Sequence, residues 1–151
     1  MLHIFVDADA CPVKQEVYRV AARYELGVTL VAGAWMRLPE GVRATLEVVD
    51  RGMNAADDWI AGHVGDNDVV VTADIPLAAR CVERGAYVLS PTGKAFTDDN
   101  MGPALATRNL LSNLREVGEI TGGPPPFDKR DRSRFLQALD KVINEIRRKQ
   151  I

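Results

Sequence analysis

The chain is poor in the residue types that most often reveal a protein's chemistry by themselves. It has two cysteines and two histidines in 151 residues. Cys11 and Cys81 lack metal-finger spacing and are too few for a disulfide scaffold, so we expect both to be buried in the core. His3 and His63 do not have the spacing of metal ligands. An imidazole is therefore not the expected catalytic base.

Long hydrophobic runs and a strong net charge are also missing. No apolar run approaches the roughly 20 residues that a membrane-spanning helix needs. Asp7 and Asp9 interrupt the first apolar stretch too early for a signal peptide, so we predict a cytoplasmic protein without a membrane partner. The formal net charge is −2, so RNA or another nucleic acid would have to bind a local basic surface. The sequence contains neither a P-loop nor a dinucleotide fingerprint.

The sequence does contain a regular alternation of strand and helix patterns. Apolar residues make up 46% of the chain and charged residues 26%, which is typical of one globular domain, here 1–151. Strands are predicted at 2–6, 28–32, 44–49, 68–72 and 86–89. Helices are predicted at 12–26, 54–63, 75–84 and 104–117, with a last helix after Asp128.

This alternation predicts an α/β fold, a mainly parallel sheet of about five strands with helices on both faces. We expect Gly27 to end the first helix and Asn54 to be the N-cap of the second. The apolar stripe of the last helix predicts that it packs on the sheet, as the C-terminal part of a three-layer sandwich. The residues of that stripe are Phe135, Leu136, Leu139, Val142, Ile143 and Ile146.

Three acidic clusters fall at equivalent places on this framework. Asp7 and Asp9 close the first strand, Asp57 and Asp58 open a helix, and Asp74 follows the strand at 68–72. In a parallel sheet the carboxyl ends of strands and the starts of the next helices share one edge, where ligands usually bind. Carboxylates gathered there repel one another unless a cation binds, and oxygen ligands suit Mg²⁺ or Mn²⁺. All five aspartates are therefore candidate metal ligands.

Each acidic residue also has a simpler structural explanation. Asp9 could cap the first helix while Asp7 binds loop amides, and Asp74 could be only the N-cap of the next helix. Asp57 and Asp58 lie in a first helical turn, where the helix dipole already favours acids. Adjacent helical residues diverge by about 100°, so both cannot point equally at one ion. We favour Asp57, and we expect Asp7, Asp57 and Asp74 to be the catalytic residues.

Candidate phosphate contacts are more scattered along the chain. Thr72 precedes Asp74 and could add a hydroxyl to the same edge. The other candidate substrate-binding residues are Lys14, Arg108, Ser133 and Arg134. Acidic residues interleave with the basic ones in the last helix, so a solvated face with salt bridges is the first explanation there. Phosphate contacts of this kind position a nucleic acid without reading its sequence.

Five ordered motifs resemble one known family nearly end to end. They are DADACPVK, GMNAADDWI, DVVVTADIPLAARC, LSPTGKAFT and GGPPPFDKRDRSRF. The chain resembles the YaiI/YqxD family of small bacterial proteins, also called UPF0178 or DUF188. That family is in turn similar to PIN-like domains, whose parallel sheet presents acidic residues to Mg²⁺ or Mn²⁺ for cutting phosphodiesters.

The resemblance implies a single PIN-like domain with an acidic core of Asp7, Asp74 and either Asp57 or Asp58. PIN nucleases commonly carry a further acid, for which Asp98 or Asp99 is only a loose match.

The leading hypothesis is therefore an Mg²⁺- or Mn²⁺-dependent nuclease, with RNA as the first expected substrate. Two alternatives remain open. One is a phosphatase of the haloacid dehalogenase type, with Asp7 as the nucleophile and Asp9 as the acid, although the threonine expected after the second aspartate is missing. The other is a non-catalytic module that binds RNA or a protein partner on a PIN-like fold.

Overall fold

The computed structural model describes residues 2–9, 11–50, 54–97, 99–100, 102 and 127–149. The strands are β1 His3–Asp7, β2 Gly27–Ala32, β3 Arg43–Val48, β4 Val69–Val71, β5 Tyr87–Leu89 and β6 Ala95–Phe96. The helices named below are α1 Lys14–Tyr24, α2 Ala55–His63, α3 Ile75–Glu83 and α4 Lys129–Lys149. The helix predicted at 104–117 lies outside the described residues.

The strands form one mainly parallel sheet in the order β3-β2-β1-β4-β5-β6. β1 is central, and Ile4 pairs with Val28 of β2 on one side and with Val69 of β4 on the other. β5 and β6 are the antiparallel pair. The chain builds outward from β1 to β3 and then returns to the other side of β1. The crevice outside the carboxyl ends of β1 and β4 is therefore the expected ligand site of the fold.

Helices cover both faces of the sheet, which confirms the α/β prediction and its three layers. α1 and α4 pack on one face, and α2 and α3 pack on the other. The first core includes Ile4, Val6, Val17, Leu30, Phe135 and Leu139. The second core includes Phe5, Val31, Ile60, Val70 and Leu77. Alternate residues of β1 thus enter opposite cores, as the period of a strand requires.

The five predicted strands are all present, and no predicted end differs from the observed one by more than one residue. The sixth strand, β6, was not predicted because its two residues, Ala95–Phe96, are too few to show a period. Asn54 does occupy the N-cap position of α2, but its side chain makes no capping hydrogen bond there.

The prediction that Gly27 ends the first helix is wrong. α1 ends at Tyr24, and Glu25 takes the left-handed conformation with φ 54° that closes it. Gly27 is instead the first residue of β2. A Cβ atom there would lie 2.8 Å from Nδ1 of the His3 ring, so the glycine is needed for the close approach of β1 and β2.

α4 packs along the sheet and runs opposite to β5. Near its end, Nζ of Lys149 donates a hydrogen bond to the Tyr87 hydroxyl at 2.6 Å. Near its start, the backbone of Arg134 touches Gly93, in the turn that follows β5. The start of α4 therefore lies at the carboxyl edge of the sheet. No helix in the described ranges, α4 included, is long and apolar enough to cross a membrane.

Gly93 provides a test of how closely this turn packs on α4. Its φ is +89°, and a Cβ atom would lie 2.7 Å from the carbonyl carbon of Arg134. We expect Gly93→Ala to lower the free energy of unfolding by about 2 kcal/mol, because it adds both backbone strain and a clash. Urea denaturation followed by circular dichroism measures this change.

Gly62→Ala is the matched control for this substitution. Gly62 is exposed within α2, and nothing lies within 4 Å of a Cβ atom built there. Alanine favours a helix over glycine, so this variant should gain about 0.5–1 kcal/mol. Equal effects from the two variants would show that the turn does not pack as described.

Candidate functional site

Asp7 is held at the carboxyl end of β1 by a hydrogen bond from the neighbouring strand. The Thr72 hydroxyl, at the end of β4, donates to Oδ2 of Asp7 at 2.9 Å. The same hydroxyl accepts a hydrogen bond from the backbone N–H of Asp74 at 3.0 Å. Thr72 is only 2% exposed, so it positions the two aspartates and offers little surface to a substrate.

The pKa of Asp7 reflects this half-buried position. Burial raises the pKa of its carboxyl, because removal from water disfavours the charged form. The hydrogen bond from Thr72 lowers the pKa, and the charges of Asp74 and Asp9 raise it. The pKa of Asp7 lies above its usual value on balance.

Asp74 is the N-cap of α3, which was the simpler structural explanation for this residue. Its Oδ1 atom accepts a hydrogen bond from the backbone N–H of Leu77 at 3.0 Å. This cap does not isolate the residue from the other acids, because its charge acts on both Asp7 and Asp57. The cap therefore fixes the orientation of a carboxylate that also belongs to the acidic cluster.

The side chains of Asp57 and Asp58 take different directions from the first turn of α2. Burial and the charges of Asp74 and Asp7 raise the pKa of Asp57 from 3.8 to about 6. When protonated, Asp57 donates a hydrogen bond to Asp74. Asp58 is exposed, and its Oδ1 is 2.8 Å from Nη1 of Arg80. Asp57 is thus the member of the pair that interacts with Asp7 and Asp74, and we call these three residues the acidic site.

Asp9 lies beside the acidic site and has a structural partner. It is exposed, and its Oδ2 accepts a hydrogen bond from the backbone N–H of Gly33 at 2.9 Å, which ties the end of β1 to the end of β2. A cavity of about 390 Å³ has Asp9 and Asp57 in its lining, together with Asp50. Its carboxylates make this part of the edge a poor site for anions unless a cation accompanies them.

The acidic site matches a divalent cation in its chemistry but is not a complete protein cage. Carboxylate oxygens are the ligands that Mg²⁺ and Mn²⁺ prefer. Within the described ranges, however, no group of three or more His, Cys, Asp or Glu side chains is arranged to hold a metal ion. Mg²⁺ is commonly held by one or two carboxylates together with substrate phosphates and water. The acidic site can provide that smaller set.

The predicted substrate-binding residues do not all meet at the acidic site. Lys14 is the first residue of α1 and is half-buried, and its charge acts on the Cys11 thiol. Ser133 and Arg134 are exposed on α4, which covers the opposite face of the sheet from α2. Arg108 lies outside the described residues, as does Asp98.

Both cysteines are buried, as predicted, and neither is suited to act as a nucleophile. Burial raises the pKa of the Cys11 thiol above its usual value and that of Cys81 to about 11. The reactive form of a cysteine is the thiolate, so such thiols are inert at neutral pH. His3 is bound within the sheet, with Nε2 2.7 Å from the Thr29 hydroxyl.

Comparisons with known proteins find similarity over nearly the whole length of the chain. The family model described as "Uncharacterized BCR, YaiI/YqxD family" matches residues 5–145. The chain belongs to this family. A UPF0178 protein of Rhodopseudomonas palustris is 55% identical over 149 residues, which cover 99% of this chain and 94% of the relative. No solved structure matches the chain.

Other members of the YaiI/YqxD family are similar over the same length. A UPF0178 protein of Bradyrhizobium sp. is 54% identical and spans 96% of this chain and 88% of its own. A UPF0178 protein of Paramagnetospirillum magneticum is 53% identical over 98% of both chains. The similarity to these relatives thus extends over nearly the whole chain, and the family model spans residues in every strand and helix from β1 to α4.

The raised pKa of Asp57 predicts a pH-dependent effect on stability. The folded protein holds the Asp57 proton more tightly than the unfolded chain does. The bound proton therefore adds to the free energy of unfolding most below pH 3.8, and this stabilisation is lost as the pH rises through about 6. At pH 7.5 the ionised group repels its neighbours. We expect Asp57→Asn to raise the melting temperature by a few degrees at pH 7.5 and much less at pH 4. Partial exposure of the carboxyl keeps the effect modest.

Asp58→Asn is the control, since it changes the neighbouring residue on the same turn. It removes an exposed ion pair with Arg80, so it should lower the melting temperature slightly or leave it unchanged at pH 7.5. Calorimetric melting of all three proteins at both pH values tests the assignment. The placement of Asp57 is wrong if the two variants behave alike.

Proposed function

We propose that the chain is an Mg²⁺- or Mn²⁺-dependent phosphodiester hydrolase that acts at the acidic site, with RNA as the first substrate to test. The observation that carries this proposal is that three carboxylates from three separate elements lie near enough, at the carboxyl edge of the sheet, for their charges to act on one another. Asp7 ends β1, Asp57 lies in the first turn of α2 and Asp74 caps α3. The resemblance to PIN-like domains supports the same activity.

The electrostatic cost of this cluster is the physical reason to expect a cation. Like charges that lie near one another are destabilised unless a proton or a positive ion is shared. The proton on Asp57 can meet that need at acidic pH, because its pKa is about 6. At neutral pH the proton is lost. A divalent ion that arrives with a phosphate group would then relieve the repulsion.

The three carboxylates would have distinct tasks in this proposal. Asp57 and Asp74 would hold the cation, and Asp7 would help to place it, since the hydrogen bond from Thr72 fixes its orientation. When bound, such a cation polarises a phosphate oxygen and lowers the pKa of a coordinated water. The cap on Asp74 and the bond to Asp7 orient both groups before substrate arrives, which reduces the entropy lost in reaching the reactive geometry.

The phosphatase alternative receives less support from the contacts. It requires Asp9 to act as an acid next to Asp7. The Asp9 carboxylate is exposed and accepts a hydrogen bond from Gly33 instead.

Asp74→Asn tests the nuclease proposal with little risk to the fold, because asparagine is as good an N-cap as aspartate. Labelled single-stranded RNA, a hairpin RNA and single-stranded DNA are incubated with the wild type in Mn²⁺ or Mg²⁺. We expect cleavage of at least one substrate, its loss with a chelator, and a decrease of about 100-fold or more in Asp74→Asn. That is the scale of losing one group that stabilises charge at a reacting centre.

Asp66→Asn is the control for this experiment. Asp66 is exposed and precedes β4, so it lies at the opposite edge of the sheet. This variant should cleave as the wild type does. A calorimetric titration of Mn²⁺, with and without an oligonucleotide, shows whether binding of the ion depends on substrate. Cleavage that persists in Asp74→Asn, or that needs no divalent cation, would rule out the proposal.

A further inference from the structure

A second cavity lies between α4 and the turn at 90–94, and it is lined by positive charge. Its volume is about 550 Å³. Three cations border it: Lys94 from the turn and Arg134 and Lys141 from α4. Thr92 and Gln137 add neutral hydrogen-bonding groups to the lining. We call this cavity the basic cleft.

The turn that forms one side of the basic cleft is closed by hydrogen bonds of its own backbone. The backbone N–H of Ser90 donates to the Lys94 carbonyl at 2.8 Å, and that of Gly93 donates to the Ser90 carbonyl at 2.9 Å. The Ser90 hydroxyl also accepts a hydrogen bond from the Lys94 N–H at 3.1 Å. Because Gly93 lies directly against the backbone of α4, the turn and the helix present their charges as one surface.

Nothing in the lining compensates these charges. The described lining contains three basic side chains and no acidic one, on a chain whose formal net charge is −2. Arg134 has a partner in Asp131, but the closest atoms are 3.6 Å apart and the arginine side chain is 67% exposed. Such exposed pairs contribute little. The cleft is therefore a local site of positive potential, which an anion would relieve.

The basic cleft and the acidic site lie on the same edge of the sheet. The turn at 90–94 follows β5, and Asp7 ends β1, with β4 between those two parallel strands. Two strand spacings amount to about 10 Å in the plane of the sheet, while α4 and the helices that carry Asp57 and Asp74 lie on opposite faces of it. A strand of nucleic acid that crosses this edge would reach both places.

We infer that the basic cleft binds backbone phosphates of the nucleic acid strand whose cleaved phosphate lies at the acidic site. This inference rests on the proposed function and adds to it the part of the protein that positions the substrate. The lining favours a phosphate backbone, because cations and small neutral donors contact phosphate and sugar without reading bases. Lys94, Arg134 and Lys141 are positioning residues in this scheme, since none of them touches the reacting atoms.

A charge-matched pair of triple variants tests the inference. The cleft variant is Lys94→Gln/Arg134→Gln/Lys141→Gln. The control is Arg19→Gln/Arg43→Gln/Arg148→Gln, three exposed residues on α1, β3 and the end of α4. Both variants lose the same charge. Fluorescence anisotropy with labelled single-stranded RNA and DNA, in a chelator so that no cleavage occurs, measures binding at several salt concentrations.

We expect the cleft variant to lose on the order of 100-fold in affinity near 0.1 M salt, while the control stays close to wild type. The slope of log affinity against log salt should fall by about 2, since each phosphate contact to a single strand contributes about 0.7. Circular dichroism and melting temperature verify that each variant is folded. Equal losses in the two variants, or no binding by the wild type, would overturn the inference. So would competition by polyglutamate as strong as that by the oligonucleotide, which would indicate an acidic protein partner.

The same proteins separate this inference from the proposed function. Cleft-dependent binding in the absence of any cleavage would support phosphate binding at the basic cleft and contradict the proposed hydrolase activity. Cleavage with the same KM and kcat in the cleft variant as in the wild type would support the hydrolase and contradict the role of the basic cleft.

Discussion

The burial of the central strands on both faces is the constraint on which the site depends. Ile4, Val6 and all three residues of β4 are fully buried, between α1 and α4 on one side and α2 and α3 on the other. A charged group within such strands would have to leave water without a partner, at a cost of several kcal/mol. Charged side chains can therefore occupy only the ends of these central strands. The fold thus gathers its acidic groups where the strand order reverses.

That arrangement carries an energetic cost that the rest of the molecule has to offset. Asp7 and Asp57 both have raised pKa values, which means that their charged forms are less stable here than in water. The two hydrophobic cores, including the packing of α4 on the sheet, supply the necessary stability. Local destabilisation of this kind is common where binding or catalysis needs charges held ready. The basic cleft is likewise a group of like charges near this edge of the sheet, but its charges are positive.

Much of the fold was predictable because the strands are short apolar runs and the helices have clear stripes. The positions of Asp7 and Asp74 at strand ends follow from the same pattern. The choice between Asp57 and Asp58 needed coordinates, since neighbouring helical residues differ only in direction. Gly27 was misassigned because a glycine after a helix pattern usually ends it, whereas here it makes room for the His3 ring. The basic cleft could not be found from spacing, because Lys94 and Lys141 are far apart in the sequence and are brought together by the packing of the turn at 90–94 on α4.

The pairing of β1 with β4 also affects how the chain is made. Residues that face each other in these strands, such as Ile4 and Val69, are separated by 65 positions. At a synthesis rate of about 5–20 residues per second, β1 leaves the ribosome roughly 3 to 13 s before its partner strand does. During that interval α1 and β2 can cover only part of it, and the other flank stays open to solvent and to other chains. The growing chain thus passes through a period in which the apolar edge of β1 is unpaired and open to aggregation.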